Sequence, residues 1–362
     1  MNALPMLQML YKRPEGEILD RIRELRADLD SQLLILVHHY QREEVYAFAD
    51  ITGDSLKLAR EAARTEAPFI IFCGVHFMAE TADILTSDQQ AVILPDPAAG
   101  CSMADMADLP QVNQAWKEIG SIIDVETTVT PVTYINSTAS LKAFCGRHGG
   151  IVCTSSNARN ILEWSWDRRS KILFFPDQHL GRNTALRMGL NDEDMIVWKP
   201  GLPLGGNTSE SIHKAQLILW HGCCSVHMLF QAKDIINMRQ QHPDIEILAH
   251  PECSREVCDH ADMVGSTESI IRHVEAAPSG QSFAIGTELN LVNRLRLRFP
   301  DKPVFFLSPT VCMCSTMFRT DPQHLCASLE GLADNRVENK IKVPSEEKYY
   351  AKIALERMLG LV

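Results

Sequence analysis

The stretch from Leu34 to Ser55 returns 212 residues later with its spacing intact, and this echo restricts the possible folds more than any other feature. From Ile35 to Gly74, ten of forty positions match their counterparts without a gap: Ile35, Leu36, His38, Glu44, Val45, Ala49, Asp50, Gly53, Arg60 and Gly74. Ordinary composition yields about one chance match in fifteen. The chain therefore carries an internal structural repeat. In each copy an apolar β-branched run (Leu33 to Val37; Ile245 to Ala249) reads as a buried parallel strand that ends on polar residues. A helical stretch, a short Asp-x-x-Gly turn and a hydroxyl residue at the next helix start follow, where Ser or Thr can cap free N–H groups. Second strands (Phe69 to Cys73; Ser282 to Ile285) and third strands (Ala91 to Leu94; Pro303 to Leu307) lead to Cys101 and, after one inserted residue, to Cys314.

A weaker middle copy lies between them. Val129 to Asn136 reads as its first strand, Ile151 to Ser156 as its hydroxyl-bearing turn, Lys171 to Asp177 as its second strand and Met195 to Trp198 as its third. A longer connection, Lys199 to Glu210, resembles a surface loop entering a helix and precedes Cys223-Cys224. The expectation is an α/β chain of three pseudo-threefold-related Rossmann-like three-layer αβα domains around a central active site. Its parts are 1–112 (N-terminal helices plus repeat 1), 113–242 (repeat 2), 243–335 (repeat 3) and 336–362, a closing helix with a cap-like Ser345.

The formal charge of −11 argues against a sequence-independent grip on nucleic acid, which needs clustered Lys and Arg. No apolar run reaches the length of a membrane span, and the first twenty residues lack a signal-peptide apolar core. A cytoplasmic location is expected, with neither nucleic acid nor membrane as partner. The eleven cysteines then read as thiols, since an odd count in a long chain is no disulfide framework. Cys73 and Cys153 fall in apolar runs, and no C-x-x-C pair exists to suggest a zinc ribbon or ferredoxin-type cluster.

What remains is one cysteine end per repeat. Three thiolates at the carboxyl ends of parallel sheets, where α/β folds bind ligands, could hold a cubane iron–sulfur cluster with one iron open as a Lewis acid. Spacing alone leaves Cys223 against Cys224, and Cys312 against Cys314, undecided. It also leaves open that these are small residues at strand ends. The same strand ends carry His38 and Tyr40, Tyr134 and Asn136, and His250 and Glu252. Tyr40 and Glu252 suit a general acid and base. Ser55, Ser155, Ser266 and Thr267 sit where helix N-termini can receive carboxylate or phosphate, or act as ordinary caps.

The motifs His38-x-Tyr40-Gln41, Gly53-Asp-Ser55-Leu, Gly100-Cys101-Ser, Tyr134-Ile-Asn136-Ser, Cys153-Thr-Ser155-Ser-Asn, Pro176-Asp-x-His179-Leu-Gly-Arg182, Gly222-x-Cys224-x-Val-His227, His250-Pro-Glu252 and Gly286-Thr-Glu288, in this order, resemble the quinolinate synthase family of NAD biosynthesis. The resemblance runs from about Glu17 to the C-terminus. It implies condensation of iminoaspartate with dihydroxyacetone phosphate to quinolinate, with loss of phosphate and water. It implies a 4Fe-4S cluster on Cys101, Cys224 and Cys314, leaving Cys223 and Cys312 as neighbours. It also implies substrate binding by His38, Ser55, Tyr134, Asn136, Ser155, His250, Glu252, Ser266 and Thr267, catalysis by Tyr40, Glu252 and His250, and a functional link to an iminoaspartate-producing L-aspartate oxidase or dehydrogenase. One departure stands out: the usual C-P-x-M after the last ligand reads Cys314-Ser-Thr-Met317 here. Two other readings compete, a non-catalytic iron–sulfur sensor and a metal-free sugar-phosphate aldolase or isomerase. The first needs a fourth ligand; the second ordinarily needs a catalytic lysine or a divalent-metal site, and no lysine follows a repeat strand in the expected way.

Overall fold

The structure, a computed structural model, describes residues 3–310 and 313–361. Cys312 lies outside the described residues. Three parallel sheets flanked by helices make up the chain, as expected for Rossmann-like αβα domains. They fall into two compact units, Met1–Cys101 with Met313–Pro344, and Ser102–Cys312 with Ser345–Val362.

The first unit holds β1 (Leu33–His38), β2 (Ile51–Gly53), β3 (Phe69–Cys73) and β4 (Ala91–Ile93) in the order β2-β1-β3-β4. Its core forms where the helix Glu15–Leu29 lays Ile18, Ile22, Leu25 and Leu29, one apolar stripe at helical spacing, against the β1 residues Leu33, Ile35 and Val37 and against Leu325 and Leu329. The segment after β4 is tied down by Arg319, whose Nε donates to Asp96 Oδ2 at 2.7 Å. That link joins the segment between β4 and Cys101 to the segment after Cys314.

The second unit holds two sheets. In one, β5 (Val129–Tyr134), β6 (Ile151–Cys153), β7 (Lys171–Phe175), β8 (Met195–Trp198) and β9 (Leu217–Trp220) run in the order β6-β5-β7-β9-β8. In the other, β10 (Glu246–Ala249), β11 (Met263–Val264), β12 (Phe283–Gly286) and β13 (Val304–Phe306) run β11-β10-β12-β13, which repeats the order of the first unit's sheet. The helix Ser345–Leu359 packs on the helix Ala139–Arg147, so closely that a Cβ at Gly146 would lie 1.9 Å from the Tyr350 carbonyl oxygen. Only glycine fits there.

The strands correct three expectations. Met195–Trp198 is not the strand beside β7; Leu217–Trp220 takes that place and β8 pairs outside it. The reason is burial: all of β9 is buried, whereas Ile196 and Val197 are half-exposed, as on an edge strand. The Asp-x-x-Gly segments and Ile151–Cys153 are short edge strands rather than turns, paired to β1, β10 and β5. In the first and third repeats, the aspartate before that strand accepts the N–H of the main strand: Ile35 to Asp50 Oδ2 and Ile247 to Asp262 Oδ2, both at 2.7 Å. Finally, the expected hydroxyl caps differ between repeats. Asp54 caps the helix that begins at Ser55, Ser266 caps the helix that begins at Thr267, and Ser155 stands two residues ahead of Asn157 at the third helix start.

Candidate active site

Three strand ends of the second unit converge on one carboxylate. β5 ends at Tyr134, in a turn closed by the Ser137 hydroxyl donating to the Tyr134 carbonyl at 2.7 Å. β10 ends at His250-Pro251-Glu252, and β9 leads through Cys223 and Cys224 to His227. The Tyr134 hydroxyl donates to Glu252 Oε1 at 2.6 Å, linking residues 118 apart in sequence. His227 Nδ1 stands 3.0 Å from Glu252 Oε2, at ion-pair distance. The rings of His227 and His250 stack at 4.5 Å, and His227 Nε2 reaches Thr287 Oγ1 at 3.3 Å.

Neighbouring groups hold these loops in place. The helix Gln178–Arg187 presents Asn183, whose Nδ2 donates to the carbonyls of Pro251 and Cys253, both at 2.9 Å, and so clamps the turn bearing Glu252. The loop bearing Cys224 is pinned by the Gln178 N–H donating to the Gly222 carbonyl at 3.0 Å and by the Cys223 N–H, 3.3 Å from Met106 Sδ.

The electrostatics follow from burial. Glu252 is 3% exposed. Burial alone would raise its carboxyl, yet the facing imidazoles of His227 and His250 and the Tyr134 hydroxyl hold it down to about 2. Burial, reinforced by His227, brings His250 down to about 3. Burial and the Arg182 charge bring His179 down to about 4. At neutral pH the site therefore presents an ionised Glu252 beside a neutral His250. Because His250 Nδ1 accepts the Glu252 N–H at 3.3 Å, the neutral ring carries its proton on Nε2. Asp177 behaves oppositely: burial and the charge of Glu252 push its carboxyl well above the usual range.

Of the residues expected from sequence, Tyr134, His250, Glu252 and Cys224 are brought together; Cys224, His227 and Glu252 each offer a ligand atom within 4.8 Å of the others. That donor set fits a metal cofactor. Asn136 and Ser155 are half-buried in the same unit, and Ser266 and Thr267 are buried. His38, Tyr40, Ser55, Cys101 and Cys314 belong to the first unit. There the Tyr40 N–H donates to His38 Nδ1 at 3.2 Å, and Cys314 Sγ lies 3.4 Å from Thr316 Oγ1. Cys101, Cys223, Cys224 and Cys314 are half-buried, whereas the six other described cysteines are buried. Burial, together with Asp177, pushes the Cys223 thiol up.

Asp177, His179 and His227 are not among the site residues expected from sequence. Asp177 caps the helix Gln178–Arg187, accepting from the Leu180 N–H at 2.6 Å, and His179 is buried. The available signal was the spacing Cys224-x-x-His227, which places both side chains on one turn.

A sequence profile described as quinolinate synthetase A protein matches residues 20–360. The chain is 54% identical over 364 residues to a quinolinate synthase of Rhodopirellula baltica, covering 97% of this chain and 93% of that protein. It is 55% identical over 352 residues to one of Nocardioides sp., at 95% and 89% coverage. It is 50% identical over 367 residues to one of Halalkalibacterium halodurans, at 99% of each.

Proposed function

The chain belongs to the quinolinate synthetase A family, and we propose that it condenses iminoaspartate with dihydroxyacetone phosphate to quinolinate, releasing phosphate and water. The observation that carries this reading is the buried, ionised Glu252 held between the Tyr134 hydroxyl and two imidazoles. A carboxylate kept charged in a dry site can take a proton at Oε2, the oxygen that Tyr134 leaves open. His250 offers an Nε2–H donor to a substrate oxygen, and His38, whose Nδ1 accepts the Tyr40 N–H, offers the same when neutral. Tyr40 is the proposed general acid, and Asn136, Ser55, Ser155, Ser266 and Thr267 are proposed to receive substrate carboxylate and phosphate groups.

Cys101, Cys224 and Cys314 are the proposed holders of a 4Fe-4S cluster. Their half-burial supports this, since thiols sealed in the core, such as Cys73 and Cys153, have no access to an inorganic group. When bound, the cluster supplies an iron without a protein thiolate as a Lewis acid. We further propose the division 1–112, 113–242, 243–335 and 336–362, a cytoplasmic location, because eleven cysteines suit a reducing compartment, and an iminoaspartate-producing L-aspartate oxidase or dehydrogenase as functional partner.

The test is anaerobic purification followed by iron and sulfide analysis and a quinolinate assay on freshly generated iminoaspartate. About four of each per chain and quinolinate formation are expected, with Cys224→Ala losing iron and activity and Cys223→Ala keeping both. A chain with full iron content and no quinolinate would refute the activity; full iron retention in Cys224→Ala would refute the ligand.

A further inference from the structure

The segment Cys224-x-x-His227 closes as one turn, its Met228 N–H donating to the Cys224 carbonyl at 3.0 Å. Cys224, His227 and Glu252 each offer one ligand atom, and the three atoms lie within 4.8 Å of one another. All three residues belong to the second unit, so the set is complete without Cys101 and Cys314, which belong to the first. Thiolate sulfur, imidazole nitrogen and carboxylate oxygen together suit zinc, a borderline-soft ion, rather than Mg²⁺ or Ca²⁺, which take oxygen donors.

The surroundings hold these donors ready. Glu252 divides its oxygens: Oε1 accepts the Tyr134 hydroxyl at 2.6 Å, while Oε2 faces His227 Nδ1 at 3.0 Å. Either a proton or a cation must stand between a ring nitrogen and a carboxylate oxygen that close, because bare lone pairs repel. The outer ring nitrogen serves both cases. His227 Nε2 lies 3.3 Å from the Thr287 hydroxyl, which donates to Nε2 when Nδ1 carries the proton and accepts from it when Nδ1 ligates a metal. A ligating histidine ordinarily has such an outer partner. Asn183 clamps the Glu252 turn through the Pro251 and Cys253 carbonyls, both at 2.9 Å, and the His250 ring stacks on His227 at 4.5 Å. His179 adds a buried imidazole whose Nδ1 has no hydrogen-bond partner and on which the charges of Glu252, His221 and His227 act. Zinc bonds of about 2.0–2.3 Å put tetrahedral donors about 3.3–3.8 Å apart. Donors already within 4.8 Å reach that spacing by side-chain rotation, with the backbone in place.

We propose that Cys224, His227 and Glu252 form a mononuclear zinc site that the second unit holds by itself. The ion displaces the thiol proton of Cys224 and the proton between His227 and Glu252, and both go to solvent. Cys224 Sγ and Glu252 Oε2 are also groups that the chemistry proposed above uses. Resting on that reading, zinc and the iron–sulfur cluster exclude each other, and zinc is an inhibitor of cluster assembly.

The full chain, purified anaerobically with thiol reductant and chelator and never supplied with iron, is dialysed against Zn²⁺ and separately titrated with Co²⁺ as a coloured stand-in. About one tightly held zinc per chain is expected. The cobalt protein should show thiolate-to-metal charge transfer and the strong visible bands of a four-coordinate ion. Glu252→Gln and Cys224→Ser, both close to isosteric, should each weaken zinc binding at least about tenfold, and Cys224→Ser should erase the charge-transfer band. Cys101→Ala/Cys314→Ala should bind zinc like the parent chain, since neither thiol is in the set. Zinc prebound to the parent chain should block iron uptake during reconstitution with iron and sulfide; full uptake with the zinc retained would overturn the exclusion. No stoichiometric zinc, binding indifferent to Glu252→Gln, or binding lost in the double cysteine variant overturns the site. Zinc binding is read without iron or turnover. A chain that binds zinc and builds no cluster refutes the cluster and leaves the site standing; one that builds the cluster and holds no zinc does the reverse.

Discussion

The turns after β1 and β10 share a backbone and differ in what they bury. In the first, the Tyr40 N–H donates to His38 Nδ1 at 3.2 Å and the Gln41 N–H to the His38 carbonyl at 3.0 Å. In the second, the Glu252 N–H donates to His250 Nδ1 at 3.3 Å and the Cys253 N–H to the His250 carbonyl at 2.9 Å. The position two residues past the histidine is a half-buried tyrosine in one and a fully buried carboxylate in the other. A repeated backbone thus supplies the same platform twice, and the side chain placed on it decides whether the site takes an accessible hydroxyl or a sealed charge.

The largest expected effect separates the two platforms by chemistry. Glu252→Gln should lower kcat by about 10²–10⁴-fold, the range for loss of a positioned general base, and Tyr40→Phe should cost less, because water can reach a half-buried proton donor's place. Steady-state quinolinate formation measures both; a Tyr40→Phe loss exceeding that of Glu252→Gln would reverse the assignment of roles.

Acid should act chiefly through the buried turn. His250 and His179 have folded values of about 3 and about 4, below the 6.5 of a free imidazole. The unfolded chain therefore takes up protons first, so stability is full above about pH 6.5 and declines as pH falls toward the folded values. The slope is about 1.4 kcal/mol per pH unit for each histidine. Urea denaturation between pH 7 and 4 should show this, and His179→Gln should flatten it. A wild-type midpoint independent of pH across that range would contradict the burial argument.

The smallest effect tests the equivalence itself. Asp50→Ala and Asp262→Ala each strip the acceptor from a strand N–H and a partner from Arg26 or Arg239. Each should cost about 1–3 kcal/mol. Unequal costs in thermal melts would show that the two edges are not doing the same work.

By itself the sequence determined the repeat, because an apolar run, its terminal histidine and the following aspartate and glycine are local patterns that survive at a fixed offset. It also placed a cysteine end after each copy, without choosing between Cys223 and Cys224 or between Cys312 and Cys314, and it carried the family's motifs. Only the tertiary structure decided that β9 rather than β8 adjoins β7: both are short apolar runs, and the choice depends on which one is covered on both faces. Only the tertiary structure joined Tyr134, His227 and Glu252, since a hydrogen bond spanning 118 residues leaves no periodic trace. The charge state of Glu252 belongs to the same class. Its burial would neutralise it, and groups from separate loops, His227 first and the Tyr134 hydroxyl with it, hold it ionised, a balance set by packing distances that no single segment contains.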